Sequence, residues 1–210
     1  MDETDDDAGL RTRANGKLTK RRLVEACLEH VWDRGYGATS MALVAEAAGT
    51  PKGSVFYHFP TKETMIVAAV AEYVEQATAR RKRDLLPDAP SHRPTVTRLK
   101  RYFHKRMEAR RATNFRRGCL LGNLAAEIND EAVPAIAKAV QQGLQSFEED
   151  VASFLTAACH EGEVRSDLHV EEVSSTLVNG WEGALLRMKL SGSPKPLESF
   201  IATVPIIIRR

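Results

Sequence analysis

"AEAAGTPKGSVFYHF", residues 45–59, is the stretch on which the reading of this chain turns. Small residues run up to Gly49. Pro51 follows, and then Lys52, Ser54, Tyr57 and His58 interleave with Val55, Phe56 and Phe59. Residues 41–48 read as a short helix capped by Thr39 or Ser40. Gly49 fits the place just past its end, where the backbone turns left-handed and glycine does so without steric cost. Thr50 is then the expected N-cap of a further helix, with Pro51 at its first position and its end at His58 or Phe59. Two short helices about a glycine turn make a helix-turn-helix unit, whose second helix can enter the major groove of DNA. Val55, Phe56 and Phe59 are the expected anchors. Thr50, Lys52, Gly53, Ser54, Tyr57 and His58 are left to meet base edges and phosphates. Thr39, Ser40 and Lys62, at the starts of neighbouring helices, complete the expected DNA-facing set. Spacing alone leaves a second reading open: an ordinary helical hairpin with Tyr57 and Phe59 in its core and His58 as a surface histidine.

Outward from this stretch the chain reads as all-helical. Leu23, Cys27 and Val31 recur every four residues and mark one face of a helix from 18 to 34, stopped by Gly35 and Gly37. Thr61 is expected to cap a long helix to about Arg83, before the proline-rich break "LLPDAPSHRP" (85–94). Further helices are predicted over 95–111, 119–128, 134–161, 170–190 and 197–210, with "NFRRG" (114–118) interrupting the first two. Of 210 residues 43% are apolar but only 6% aromatic, and the alternating runs that mark strands are nearly absent.

The net charge of +2 hides an uneven distribution. Five acids stand in residues 2–7 and six bases in 11–22, which predicts a flexible charged arm over 1–17 whose basic part faces phosphate. A DNA-binding domain is expected over 18–64 and a second helical domain over 65–210. Three dispersed cysteines fit free thiols rather than a disulfide framework or a zinc site. Neither a secretory segment nor a membrane-spanning run is visible, so the expected setting is the cytoplasm. No nucleophile motif or cofactor fingerprint points to an enzyme, and no cofactor or metal is expected.

Residues 18–65 resemble the DNA-binding domain of the TetR/AcrR family of transcriptional regulators. The resemblance is carried by "LVEACLEHVWDRGYGATSMALVAEAAGTPKGSVFYHFPTKETM" (23–65): the Gly-Tyr pair, the Thr-Ser before the second helix, Gly49 in the turn, and the "YHFPTKE" ending. His30 and Trp32 depart from the family's usual plain apolar and small residues. The resemblance implies a C-terminal domain that dimerises and binds a small effector, a homodimer on a near-palindromic operator, and most often repression. It also implies a four-helix dimer bundle made by the helices at 134–161 and 170–190, where Gly143, Gly180 and Gly183 permit close approach.

"RRGCLLGNLAAEI" (116–128) and "NGWEGALLRMKLSGSPKPLESFI" (179–201) resemble a branch of that family that responds to acrylate-like molecules or electrophiles. Cys119 follows Arg116, Arg117 and Gly118 at an expected helix start, where cations and the helix dipole favour a thiolate. Flanked by Leu120 and Leu121, it reads equally well as a small buried hydrophobe. Asn123, His104, Trp181 and Met188 are the other candidates for an effector pocket. Trp181 reads equally as an anchor of the dimer interface, and Asn123 needs a hydrogen-bond partner that a ligand is one way to supply.

Overall fold

A computed structural model describes residues 3–85, 94–129 and 131–208. Every regular element among them is a helix: α1 (Glu3–Arg34), α2 (Met41–Ala47), α3 (Lys52–His58), α4 (Lys62–Leu85), α5 (Thr95–Glu108), α6 (Leu120–Glu127), α7 (Pro134–His160), α8 (Val170–Ser191) and α9 (Lys195–Ile208), with one 3-10 turn at Arg111–Thr113. The all-α expectation holds.

The chain divides into two compact units. One contains the residues up to Tyr73 together with Glu127–Ala139. The other contains Val74–Ala126 and the residues from Val140 onward. The division falls inside α4, between Tyr73 and Val74.

In the first unit α1 starts at Glu3, well ahead of Leu18, so the expected arm over 1–17 is helical from Glu3 on. Residues 10–22 contain no proline and a single glycine, Gly16, so nothing in them breaks the helix. The exposed Arg21–Glu25 pair, four residues apart at 2.8 Å, adds modest support. Leu23, Cys27 and Val31 are fully buried, as their spacing requires, where α1 packs on α2 and α3; Val44, Val55, Met65 and Ile66 are fully buried in the same unit. Ser40 caps α2 by accepting from the Leu43 amide at 3.3 Å, and Gly49 lies at φ +59° just past its end. The start of α3 differs by one place. Pro51 is the cap residue, and the Thr50 hydroxyl donates back to the Ala48 carbonyl at 3.3 Å.

The second unit packs α8 on α9 and α9 on α5. Its centre is an aromatic cluster in which Phe103 of α5 lies 4.9 Å from both Trp181 of α8 and Phe200 of α9, ring centre to ring centre. Leu99, Leu120, Leu124, Phe154, Leu155, Leu177 and Met188 are buried in the same unit. Arg81 of α4 is buried beside Asp150 of α7 at 2.6 Å and also donates to Thr78 and Ser146, which satisfies a charge that would otherwise be costly to bury. The break at 114–118 arises where Asn114 and Phe115 both take positive φ, ending the helical run after α5.

Candidate DNA-binding surface and effector cleft

The helix-turn-helix unit is built so that α3 has one buried and one open side. Val55 and Phe59 are buried and hold α3 to the unit. Phe56, expected as a third anchor, is 59% exposed instead, because it is rotated about 100° from Val55 around the helix. Tyr57 is 83% exposed, and Lys52 and Gly53 are exposed as well. A Cβ added at Gly53 would meet nothing within 4 Å, so the space in front of this residue is open. Ser54 and His58 are half-buried at the edge of the same face, and the His58 ring meets Tyr57 edge-on at 5.0 Å. The open side therefore offers a lysine, two hydroxyl groups, an imidazole and a bare backbone. These are suited to hydrogen-bonding base edges and phosphates.

The turn that holds α3 is itself secured from α1. The Arg22 guanidinium donates to the Ala48 carbonyl at 2.7 Å, tying α1 to the end of α2. Lys20 of α1 places its ammonium 5.7 Å from the centre of the Phe59 ring, beside the end of α3.

Four expected DNA-facing residues are engaged within the protein, Thr50 among them through the hydrogen bond of its hydroxyl to the Ala48 carbonyl. Thr39 is buried, and its hydroxyl donates to the Gly35 carbonyl at 2.7 Å, closing the turn after α1. Ser40 uses its hydroxyl as the α2 cap. Lys62 donates to the Tyr36 carbonyl at 2.6 Å and lies 3.8 Å from the Tyr36 ring centre. Burial lowers the Lys62 pKa, with Glu127 and Cys27 opposing the shift. Glu127 accepts from the amides of Tyr36 and Gly37 at 2.8 and 2.7 Å, so the turn is gripped by a cation and an anion together. Sequence reasoning missed Glu127 because about ninety residues separate it from its partners.

In the second unit a cleft of about 210 Å³ lies between the start of α6 and the middle of α8, lined by Gly118, Cys119, Gly122, Asn123, Glu182 and Leu186. Cys119 is the residue before α6, and its carbonyl accepts from the Asn123 amide at 3.0 Å. The Cys119 thiol hydrogen-bonds the Glu182 carboxyl. Burial raises the Glu182 pKa to about 7, against smaller opposing effects of that hydrogen bond and of the Arg110 charge. One Glu182 oxygen stands 2.6 Å from where a Cβ of residue 122 would lie, so glycine there is what admits the carboxyl. Asn123 finds its partner in Lys189, whose ammonium donates to Oδ1 at 3.0 Å.

The chain matches the model of bacterial regulatory proteins of the tetR family over residues 23–69, and the tetracyclin repressor-like C-terminal domain over residues 95–204. This chain belongs to the TetR family of transcriptional regulators. It is 32% identical over 192 residues to the transcriptional regulator AcuR of Cereibacter sphaeroides, covering 90% of this chain and 84% of that one. It is 29% identical over 188 residues to the transcriptional repressor DhaR of a Mycobacterium species, covering 88% of this chain and 89% of the relative. Among solved structures, a regulatory protein TetR from Rhodobacter sphaeroides superposes with a TM-score of 0.79 at 28% identity, covering 91% of this chain and 99% of that one. These relatives are transcriptional regulators and not enzymes, and the role of a DNA-binding regulator follows from the family.

For this TetR-family regulator the expected effector residues separate. Cys119 and Asn123 line the cleft together. His104 is exposed on α5. Met188 is fully buried. Trp181 is buried among Phe103, Phe200 and the Arg110 guanidinium, which lies 5.6 Å from its ring centre, so it anchors the core of its own unit. Glu182, absent from the expected set, takes their place in the cleft. Its only signal in the sequence is an acid beside Trp181 in the stretch 180–186, whose other residues are glycine or apolar, which needs a partner if enclosed. Among the described residues no group of three or more His, Cys, Asp or Glu could hold a metal, and no helix is long and apolar enough to cross a membrane.

Proposed function

We propose that the protein is a dimeric repressor that binds a near-palindromic operator through α3 and releases it when a small molecule or electrophile occupies the cleft at Cys119. The observation that carries this reading is the two-sided α3: Val55 and Phe59 fix it while Lys52, Gly53, Phe56 and Tyr57 stand open. In a two-fold dimer two such helices about 34–36 Å apart would meet successive major grooves on one face of DNA. Such a role belongs in the cytoplasm.

The dimer face favoured here differs from the expected pairing of α7 with α8. Gly143 of α7 is enclosed within its own unit, where an added Cβ would come within 2.7 Å of Val74 and 2.9 Å of Leu121. Among the described residues of the second unit, the exposed large apolar side chains are Leu186 and Leu190 of α8 and Ile206 of α9, and Gly183 of α8 has open space before it. An apolar strip of this kind on two adjacent helices suits a four-helix interface with a second copy.

Fluorescence anisotropy on a labelled fragment from upstream of the protein's own gene, at two salt concentrations and against unrelated DNA, tests the reading. Selective, salt-dependent binding that acrylate or N-ethylmaleimide reverses supports it. Selective binding that neither reagent disturbs removes the electrophile response. Equal affinity for unrelated DNA overturns operator recognition on that fragment.

A further inference from the structure

We propose that Glu182 is the proton acceptor for the Cys119 thiol, and that the pair admits uncharged electron-poor alkenes, such as enones and acrylamides, in preference to the acrylate anion. This rests on the reading of Cys119 as the sensing residue given above.

The thiolate, not the thiol, is the nucleophile, so a reacting cysteine needs somewhere to send its proton. Cys119 is only 7% exposed, which limits access of a base from bulk water. The Glu182 carboxyl is already hydrogen-bonded to it within the same cleft, and Gly122 leaves the room that this approach requires. A carboxyl that titrates near pH 7 is suited to take a proton and return it at ordinary pH. The step balances without an oxidant. The thiol proton passes to a Glu182 oxygen, and the sulfur electron pair forms a bond to the β-carbon of the alkene. The π pair moves toward the α-carbon and the carbonyl oxygen. The Glu182 carboxylic acid then returns its proton to the α-carbon. The net change is addition of S–H across the double bond.

Charge and size set the preference. Glu182 is the one ionisable carboxyl of the lining, and the described lining residues include no cation. Arg110 acts on Glu182 from beyond the end of α5, and Lys189 of α8 is tied to Asn123. An acrylate anion would bring a second negative charge against an ionised Glu182 in a partly enclosed site, which is unfavourable. A neutral alkene avoids this repulsion and lies against the apolar wall of Leu185 and Leu186. Since cavities of about 150 Å³ accept a benzene-sized molecule, the volume of about 210 Å³ fits a molecule of a few heavy atoms.

The test is the rate of Cys119 alkylation by acrylamide and by acrylate in the full-length protein, followed by peptide mass mapping from pH 5.5 to 9. Wild type, Glu182→Gln and Glu182→Asp are compared, with Cys119→Ser as the blank. In the wild type the acrylamide rate should climb through neutral pH. Glu182→Gln should slow it by roughly tenfold at pH 7 and move the rise to higher pH, while Glu182→Asp recovers part of the rate. The ratio of acrylate to acrylamide rates should increase in Glu182→Gln. Unchanged rates, pH profile and ratio in Glu182→Gln would overturn the role of Glu182 and leave Cys119 as the sensor. A wild-type profile with no rise near neutral pH would do the same without any variant. If neither reagent modifies Cys119 in the wild type, the sensing role of Cys119 falls, and this inference with it.

Discussion

Lys62 is bound to Tyr36 twice, by a 2.6 Å hydrogen bond to its carbonyl and by an ammonium 3.8 Å from its ring centre. The lysine that a helix-turn-helix pattern assigns to phosphate closes the turn between α1 and α2 in this structure. Removing it as Lys62→Met should cost about 1–2 kcal/mol of stability, from one charge-assisted hydrogen bond and one cation–π contact. Thermal unfolding measures that loss. The salt dependence of DNA binding should stay unchanged, and a slope lowered by about one unit would return Lys62 to the phosphate-binding set.

The open side of α3 predicts the opposite behaviour. Lys52→Ala and Tyr57→Ala should leave the unfolding midpoint nearly unchanged, within about 0.5 kcal/mol, since both side chains are exposed. Both should weaken operator binding, and Lys52→Ala should also relax base preference if it reads a base edge. Unchanged binding in both would contradict the assignment of α3 as the reading helix.

Val55 and Phe56 are neighbours with opposite fates, 0% and 59% exposed. Val55→Ala should destabilise the first unit by roughly 1–2 kcal/mol, while Phe56→Ser should cost little stability and act on DNA affinity alone. Denaturant midpoints set beside anisotropy titrations distinguish the two.

Leu190 and Ile206 are 83% and 82% exposed on α8 and α9. Placing a charge at either, as Leu190→Glu or Ile206→Glu, should leave the helix content intact and shift the protein toward monomer in sedimentation equilibrium. A dimer of unchanged strength in the double variant would move the interface to another face.

Stability should depend on pH through Glu182. Its pKa is about 7 in the fold against 4.5 for an ordinary glutamate, so the folded state holds a proton that the unfolded chain has lost. The contribution is fully present below about pH 4.5, declines as pH rises toward 7, and is gone above it. In Glu182→Gln that part of the decline should vanish from unfolding curves measured across pH 5–8. Cys27, whose thiol burial pushes up to about 12, should stay unmodified by alkylating reagents throughout.

Much of this was legible along the chain. The spacing of Leu23, Cys27 and Val31 located the buried face of α1, and Gly49 marked the turn by the positive φ that it adopts. The glycine, proline and cap positions placed most helix ends within a few residues. These features act over one or two turns of helix, where neighbours in sequence are neighbours in space. They were enough to determine the all-helical fold, the helix-turn-helix unit and the family.

Other assignments depended on which residues meet across long separations. Glu127 grips Tyr36 and Gly37, Lys189 holds Asn123, and Glu182 joins Cys119. Trp181 and Met188 had the composition of a pocket but are committed to the core by Phe103, Phe200 and their neighbours. Even on α3, periodicity established that one side is buried without deciding that Phe56 lies beyond its edge. Sequence by itself determined the helices and the type of protein, because hydrophobic period, capping and turn chemistry are local. Tertiary structure alone decided which polar groups are free to act, because a side chain's partners are set by packing between helices distant in sequence.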